Sequence, residues 1–482
     1  MNKQEEEGAA AAAAEEEEEE VEPVSPTGQY FNSSALSIAV LGVLESQVPI
    51  DDSQTMALLK DLFLPINPRF SSIMLQVRGK NGEKQWKRVE VNLRDHIKVP
   101  TFPPGMSSGF YDDHFSDYMT KIAMEQLPQS RPLWEIHIIK YPTSTAAGQV
   151  IFKLHHAMGD GFSMMGALLS CLQRADDPSL PLTFPALKMG LDSDGGAAGM
   201  FRRVPRVLSG LLNTVFDFGW SLLKSSYVDD DRTPIRSSAD GVEFRPIRIS
   251  TVTFSLDQIK QIKSNLKVTV NDVIAGIIFL ATRLYMQEAG PEFSKANSTA
   301  LVLLNTRNIA GYKSLAEMIS PNHDTKWGNQ FGFLHVAVPE LTKSESSDPI
   351  SFVSRAQKII RRKRDSGAVF LTGKLLDTLR RYMGPEAVAQ HIHNTLKNSS
   401  MTISNMIGPV EQLALSNHPC AGIYFMVVGV PQSLTITMVS YMGNLRVAVG
   451  TEKGYVDSQK FQSSIQKAFE MMFKAAVKSA NP

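Results

Sequence analysis

The stretch from Val150 to Gly161, reading Val-Ile-Phe-Lys-Leu-His-His-Ala-Met-Gly-Asp-Gly, constrains this chain more than any other. Its apolar start, Val150 to Leu154, predicts a buried strand, and Phe162, Met165, Leu168, Leu169 and Leu172 recur at helical spacing just beyond. Only a tight turn fits between them, and Gly159, Asp160 and Gly161 supply the backbone freedom for one. The predicted order is therefore strand, turn, buried helix. His155 and His156 end the strand, and the turn returns Asp160 toward them. An imidazole with a pKa of about 6.5 can take the proton of an alcohol at neutral pH, after which the oxygen can attack a thioester. No serine or cysteine nucleophile is needed. Two packed histidines with Asp160 capping the helix would produce the same string, so spacing alone leaves both readings open.

The neighbouring segments support a sheet around this stretch. Trp134 to Ile139 is a second apolar run, joined to Val150–Leu154 by a polar loop, as expected for paired central strands. Within it, Trp134 reads as a packing residue and His137 as a hydrogen-bonded structural histidine. Asn271 and Asp272 open a helix whose inward positions are Val273, Ile277, Leu280 and Leu284, and side-chain oxygens at a helix start cap free amides. Ala300 to Leu304 is a strand leading to Asn305-Thr306-Arg307. Trp327-Gly328-Asn329-Gln330-Phe331-Gly332 precedes another apolar run, to Val338. Lys358, Arg361, Arg362, Lys363 and Arg364 form a basic helix face, either solvated or set against phosphates. Leu434–Tyr441 and Leu445–Val449 form a hairpin across Gly443-Asn444.

The motif His155-His156-x-x-x-Asp160-Gly161 stands with Arg131-Pro132-Leu133-Trp134 upstream, and Asn271-Asp272 and Ser404-Asn405-Met406-Ile407-Gly408-Pro409 downstream. Together they resemble the plant wax ester synthase/diacylglycerol acyltransferase family, from about Gly28 to the end. The resemblance implies a mixed α/β, two-domain, CoA-dependent acyltransferase fold of the chloramphenicol-acetyltransferase kind. It implies acyl-CoA as substrate, a long-chain fatty alcohol or diacylglycerol as acceptor, and no cofactor. His156 would be the catalytic base, with His155 shaping the turn and Asp160, Gly161, Asn271, Asp272 and Arg307 supporting the site. In related acyltransferases the motif aspartate turns away from the histidine and pairs with an arginine; here that partner would be Arg307. Asn271 would also orient the substrate or polarise the thioester carbonyl.

Length predicts more than one domain in a chain of 482 residues. The expected boundaries are a disordered Ala/Glu-rich tail over 1–26, an N-terminal acyltransferase domain over 27–185, a crossover over 186–240 and a C-terminal domain over 241–482. The formal net charge of zero hides an asymmetry, since residues 1–22 hold ten Glu and one Lys. The remainder carries a net charge of +9, which suits anionic CoA or an anionic lipid surface. Basic residues are not interleaved with aromatics, which argues against nucleic acid as a partner. Cys171 and Cys420 give neither a disulfide framework nor a zinc spacing, and the ten histidines contain no HExxH, so no metal is expected.

Within the crossover, Leu208, Leu211, Leu212, Val215 and Leu222 follow helical spacing behind Arg202, Arg203 and Arg206, with Trp220 adding aromatic bulk. The run is shorter than the roughly 20 residues of a spanning helix. It reads as an interfacial helix contacting a membrane surface through Arg202, Arg203, Arg206, Leu211 and Trp220, or as an amphipathic helix packed on the crossover. The expected location is the cytosolic face of the endoplasmic reticulum membrane, extending to the cell membrane. Three rivals share parts of the pattern. A soluble acyltransferase for phenols or amines would carry an Asp-Phe-Gly-Trp-Gly element, which this sequence lacks. A peptide-synthetase condensation domain would sit beside carrier domains. A non-catalytic lipid-binding protein would use the acceptor tunnel that the resemblance implies, without turnover.

Overall fold

The computed structural model describes residues 22–77, 83–183, 214–306, 327–342 and 348–480. The first half contains β1 (Glu22–Pro23), α1 (Pro26–Phe31), β2 (Ala39–Ser46), β3 (Ser72–Gln76), β4 (Lys84–Arg88), β5 (Ile97–Lys98), α2 (Ser108–Met124), β6 (Trp134–Ile139), β7 (Gly148–His155), α3 (Gly161–Ser170) and β8 (Gln173–Arg174). After α4 (residues 214–226) come β9 (Ile247–Ser255), α5 (Leu256–Leu266), α6 (Val270–Ala289), β10 (Thr299–Asn305) and β11 (Phe331–Ala337). The helices α7 (Ile350–Arg364), α8 (Ala368–Met383) and α9 (Pro385–Lys397) follow. The chain ends with β12 (Met401–Ile407), β13 (Leu413–Leu415), β14 (His418–Val428), β15 (Leu434–Tyr441), β16 (Asn444–Glu452) and α10 (Ser458–Ala480).

Among the described residues these strands make three sheets. The largest runs β5-β6-β7-β2-β14-β13-β8, so β7 lies in its interior between β6 and β2. Every residue of β7 is buried, which is why its sequence is nearly continuous apolar rather than alternating. The one charged residue in it, Lys153, is tolerated because its ammonium donates to the Glu125 carbonyl at 2.6 Å and it pairs across the ladder with Glu135. The second sheet runs β11-β10-β12-β15-β16-β9. α6, α7 and α10 cover it, and Ile278, Phe279, Leu280, Phe352, Phe461 and Met472 pack into one core with Ile436 and Val449.

The two halves are interleaved rather than merely adjacent, which revises the expected boundary. β13 and β14 belong by sequence to the 241–482 unit, yet β14 pairs along β2 and completes the sheet that holds β7. Beside this exchange, the Arg446 guanidinium of β16 makes a two-pronged ion pair with Glu45 of β2, at 2.7 and 2.9 Å. The described part of the crossover is likewise fastened down. Asp230 accepts from Lys224 at 2.5 Å, from the Thr299 amide at 2.6 Å and from the Ser400 hydroxyl at 2.7 Å, tying residues 214–230 to β10 and the start of β12.

Other expectations are corrected locally. The tail was expected to extend to residue 26, but Glu22–Pro23 pairs with β4, Val24 is buried and Glu22 meets Arg69 at 2.5 Å. The β15–β16 turn is Met442-Gly443, both at positive φ, one residue earlier than Gly443-Asn444. The basic stripe of α7 is not wholly solvated, because Lys363 is buried and bonded to Asp217 at 3.0 Å.

Candidate active site

β7 delivers the two histidines from a rigid end. The His155 amide donates to the Leu133 carbonyl at 3.0 Å on one side, and the His156 amide to the Ile38 carbonyl at 2.8 Å on the other. α3 then begins at Asp160, whose carboxylate accepts from the Ser163 amide at 3.1 Å as an N-cap. The turn needs its glycines for a different reason than expected. Neither Gly159 nor Gly161 has positive φ. A Cβ at Gly161 would come within 2.9 Å of the Met406 sulfur, and one at Gly159 within 2.9 Å of Ser163 Cβ. The constraint is close approach of neighbouring elements.

The segment Trp327–Gln330 closes over this turn. The Trp327 indole donates to the Met158 carbonyl at 2.8 Å, and the Asp160 amide donates to the Gly328 carbonyl at 3.3 Å. The Gln330 amide donates to the second Asp160 oxygen at 2.9 Å. Between them, Asn329 bonds His156 twice: its Nδ2 donates to the His156 carbonyl at 2.8 Å, and its Oδ1 lies 2.8 Å from Nδ1. A carbonyl only accepts, so the amide atom facing it is the NH2 group, and the atom facing the imidazole is the acceptor oxygen. Nδ1 therefore carries the proton, and Nε2 keeps its lone pair.

His155 has the opposite arrangement. The Ala157 amide donates to its Nδ1 at 3.2 Å, which puts the proton on Nε2, 3.2 Å from the Ser37 hydroxyl. Both rings are buried, at 2% and 6% exposure for His155 and His156. Burial, helped by the neighbouring His156, pushes His155 down to about 3. Burial also lowers His156 below the usual imidazole value, while the Asp160 carboxylate and its hydrogen bonds, the one to Asn329 among them, oppose the shift. Both imidazoles are neutral at pH 7, but only His156 offers a free basic nitrogen. Such a group, beside a channel, can accept a proton from a hydroxyl.

The remaining expected residues separate into groups. Trp134 is fully buried, donates to the Phe70 carbonyl at 2.9 Å and packs on Phe63 and His96, so it is a packing residue. His137 is buried and bonded to the Tyr118 hydroxyl at 2.8 Å, the structural role expected of it. Asn271 and Asp272 do not cap α6 as N-cap residues. Thr269 is the cap, and Asp272 completes a reciprocal box by accepting from the Thr269 amide at 2.9 Å. The Asn271 Oδ1 instead accepts from Asn405 Nδ2 at 2.8 Å, beside Met406, the residue that meets Gly161. Arg307, Arg202, Arg203, Arg206 and Leu211 lie outside the described residues. Trp220 sits on α4 with 39% of its surface exposed.

His156 also packs against Phe31 and Phe331, with ring centroids 4.7 and 5.6 Å away. Those two rings line a cavity of about 640 Å³ that runs between β11, α4, α8 and α9. Phe31 and Asn329 were missed as functional candidates. Asn329 stood in the Trp327–Gly332 stretch noted ahead of the β11 run, whereas nothing in the sequence marks Phe31. A smaller polar pocket lined by Ser33, Ser37 and Glu125 reaches His155 from the other side of the dipeptide. Among the described residues no cluster of His, Cys, Asp and Glu could hold a metal ion.

Comparison with known proteins agrees with this geometry. Residues 53–274 match the wax ester synthase/diacylglycerol acyltransferase catalytic domain, and residues 327–473 match the WS/DGAT C-terminal domain. Wax ester synthase/diacylglycerol acyltransferase 4 of Arabidopsis thaliana is 30% identical over 455 residues, covering 89% of this chain and 85% of that protein. Wax ester synthase/diacylglycerol acyltransferase 11 of the same plant is 29% identical, covering 95% and 96%. Among solved structures, the wax ester synthase/diacylglycerol acyltransferase of Marinobacter aquaeolei VT8 superimposes with a TM-score of 0.60 at 15% identity, over 95% of this chain and 100% of that one. The starter condensation domain of rhizomide synthetase superimposes with a TM-score of 0.53 at 12% identity, over 95% and 93%. Fold, paired domains and sequence identity agree: this chain belongs to the wax ester synthase/diacylglycerol acyltransferase family.

Proposed function

We propose that this acyltransferase moves a long-chain acyl group from acyl-CoA to a fatty alcohol, and to diacylglycerol, with His156 as general base. The observation that carries this is the Asn329 contact, which leaves His156 Nε2 unprotonated and oriented. Nε2 takes the hydroxyl proton as the alcohol oxygen attacks the thioester carbon. The tetrahedral intermediate collapses, the carbon–sulfur bond breaks, and Nε2–H returns the proton to the CoA thiolate. Asn271, its Oδ1 engaged by Asn405, has its NH2 group left to polarise the carbonyl oxygen. The cavity beyond Phe31 and Phe331 takes an alkyl chain, its volume of about 640 Å³ being typical of ligand pockets. The structurally similar condensation domain was solved with C8-CoA, which supports acyl-CoA as donor.

Catalysis takes place at the cytosolic face of the endoplasmic reticulum membrane, where both lipid acceptors partition. The support lies in α4. Asp217 and Ser221 face the protein, bonding Arg362 at 2.8 Å and His335 at 3.1 Å, while Val215, Phe216, Leu223 and Tyr227 are 69%, 64%, 48% and 84% exposed. An apolar stripe on a fastened helix, with Arg202, Arg203 and Arg206 upstream, suits the acyl boundary of a bilayer. Among the described residues no single helix is long and apolar enough to cross one. The test is free-thiol release from palmitoyl-CoA with and without hexadecanol or diacylglycerol. Release that requires an alcohol supports the reading; none with either acceptor overturns it in favour of a lipid-binding protein.

A further inference from the structure

A glycine inside a helix calls for a reason, because it is the poorest helix former after proline. Gly373 lies well inside α8, which runs from Ala368 to Met383. The usual reasons do not apply to it. Its φ is not positive, so no left-handed backbone requires it. No neighbouring element comes close either, since a Cβ added there would meet no heavy atom within 4 Å. Gly332 is the contrast: its Cβ would fall 2.5 Å from Val369 Cγ1, so the approach of β11 to α8 requires a glycine at that point. What Gly373 has instead is a place in a wall. It lines the cavity of about 640 Å³, as do Val369 and Phe370 one turn before it and Leu376 and Asp377 one turn after it. Residues three and four apart on a helix share one face. A side chain at 373 would therefore project from the middle of the cavity-lining face of α8, into space that no other group fills.

Phe31 and Phe331 connect this wall to the chemistry, because both line the cavity and both pack on His156. A short chain needs little of the cavity and a long one needs most of it, so bulk on its wall discriminates by length. We propose that Gly373 is a specificity-determining residue, its missing side chain leaving the room that the longer alkyl-chain substrates need. The proposal rests on the reading above of this cavity as the alkyl-chain site. Alanine at 373 adds one methyl group to the wall, leucine a butyl-sized group and phenylalanine a benzyl-sized one. At interior packing density each displaces a similar volume of substrate chain. Each methylene that is no longer buried lowers kcat/KM about fourfold. The chain can belong to the alcohol or to the acyl group, since the cavity can take either.

The experiment compares chain lengths within each protein by thiol release, in the parent and in Gly373→Ala, Gly373→Leu and Gly373→Phe. One arm sets octadecanol against octanol with palmitoyl-CoA. The other sets stearoyl-CoA against octanoyl-CoA with hexadecanol. The quantity measured is the long-to-short ratio of kcat/KM, from which any inactive fraction cancels because it lowers both values alike. In the arm whose chain occupies the cavity, that ratio should fall about fourfold or less in Gly373→Ala, at least about tenfold in Gly373→Leu and further in Gly373→Phe. Ratios unchanged in both arms overturn the proposal. Gly373→Ala should also melt no lower than the parent, alanine being the better helix former. A lower melting temperature would mean that the backbone itself needs the glycine, and it too overturns the proposal. Absence of thiol release by the parent with every pair would instead sink the acyl-transfer reading.

Discussion

Asn329 decides which nitrogen of His156 is basic, so its loss should mimic a tautomer error rather than a loss of substrate. Asn329→Leu is expected to lower kcat about 100-fold with KM within about twofold, and steady-state kinetics on purified protein check it. An equal fall in kcat for His155→Ala would show that the tautomer argument has the wrong histidine. His156→Ala should reduce turnover at least as far as Asn329→Leu while the melting temperature holds. Acidification separates stability from catalysis. His155 and His335 titrate at about 3 in the fold but near 6.5 when unfolded. Between those values the unfolded chain binds more protons, so stability is full above about pH 6.5 and declines as the pH falls toward 3. Melting curves across that window should fall steadily, and less steeply in His335→Leu. A pH-independent melting temperature from 6.5 to 4 would contradict the buried neutral rings.

At the scale of elements, α8 and α4 flank the cavity and are held unequally. α8 buries only Ala368 of its sixteen residues, although Val369, Phe370 and Leu376 line the cavity. Helices with so little buried surface open at low cost. Amide exchange in α8 should be at least tenfold faster than in α6, most of whose residues are buried; equal protection would mean that α8 is not the mobile wall. α4 cannot leave as easily, because Asp217 meets Arg362 and Lys363 at 2.8 and 3.0 Å. Its outward residues are therefore the ones to test for membrane contact. Replacing Val215, Phe216 and Trp220 with Ser should lower co-flotation with anionic liposomes about tenfold while leaving turnover on a detergent-dispersed alcohol within about twofold. Unchanged flotation would move the contact elsewhere.

For the whole molecule, interleaving makes the site a product of both halves. The Glu45–Arg446 pair, 5% and 16% exposed, sits where β14 crosses into the first sheet. Arg446→Ala strands a buried carboxylate, and chemical denaturation should show a loss of about 3 kcal/mol; a loss under 1 kcal/mol would mean water already reaches Glu45. Much of this arrangement was legible in the sequence. Continuous apolar runs set β6, β7 and β10, helical spacing set α3 and α6, and the glycine-flanked histidines marked the turn between β7 and α3, because these features depend on periodicity and local backbone chemistry alone. The pairings of neighbouring strands, β6 with β7 and β15 with β16, were legible too, but pairing between distant segments was not. β14 reads as one more apolar strand, and its place beside β2 is decided by which sheet edge is open after both halves collapse. Asn329 reads as a polar loop residue, and its bond to His156 spans 173 positions. Nor could residue order show that Gly161 is required by Met406, or that Phe31 and Phe331 pack on His156. Local pattern fixes elements because its physics acts within a few residues; contacts between distant segments exist only once the chain has packed.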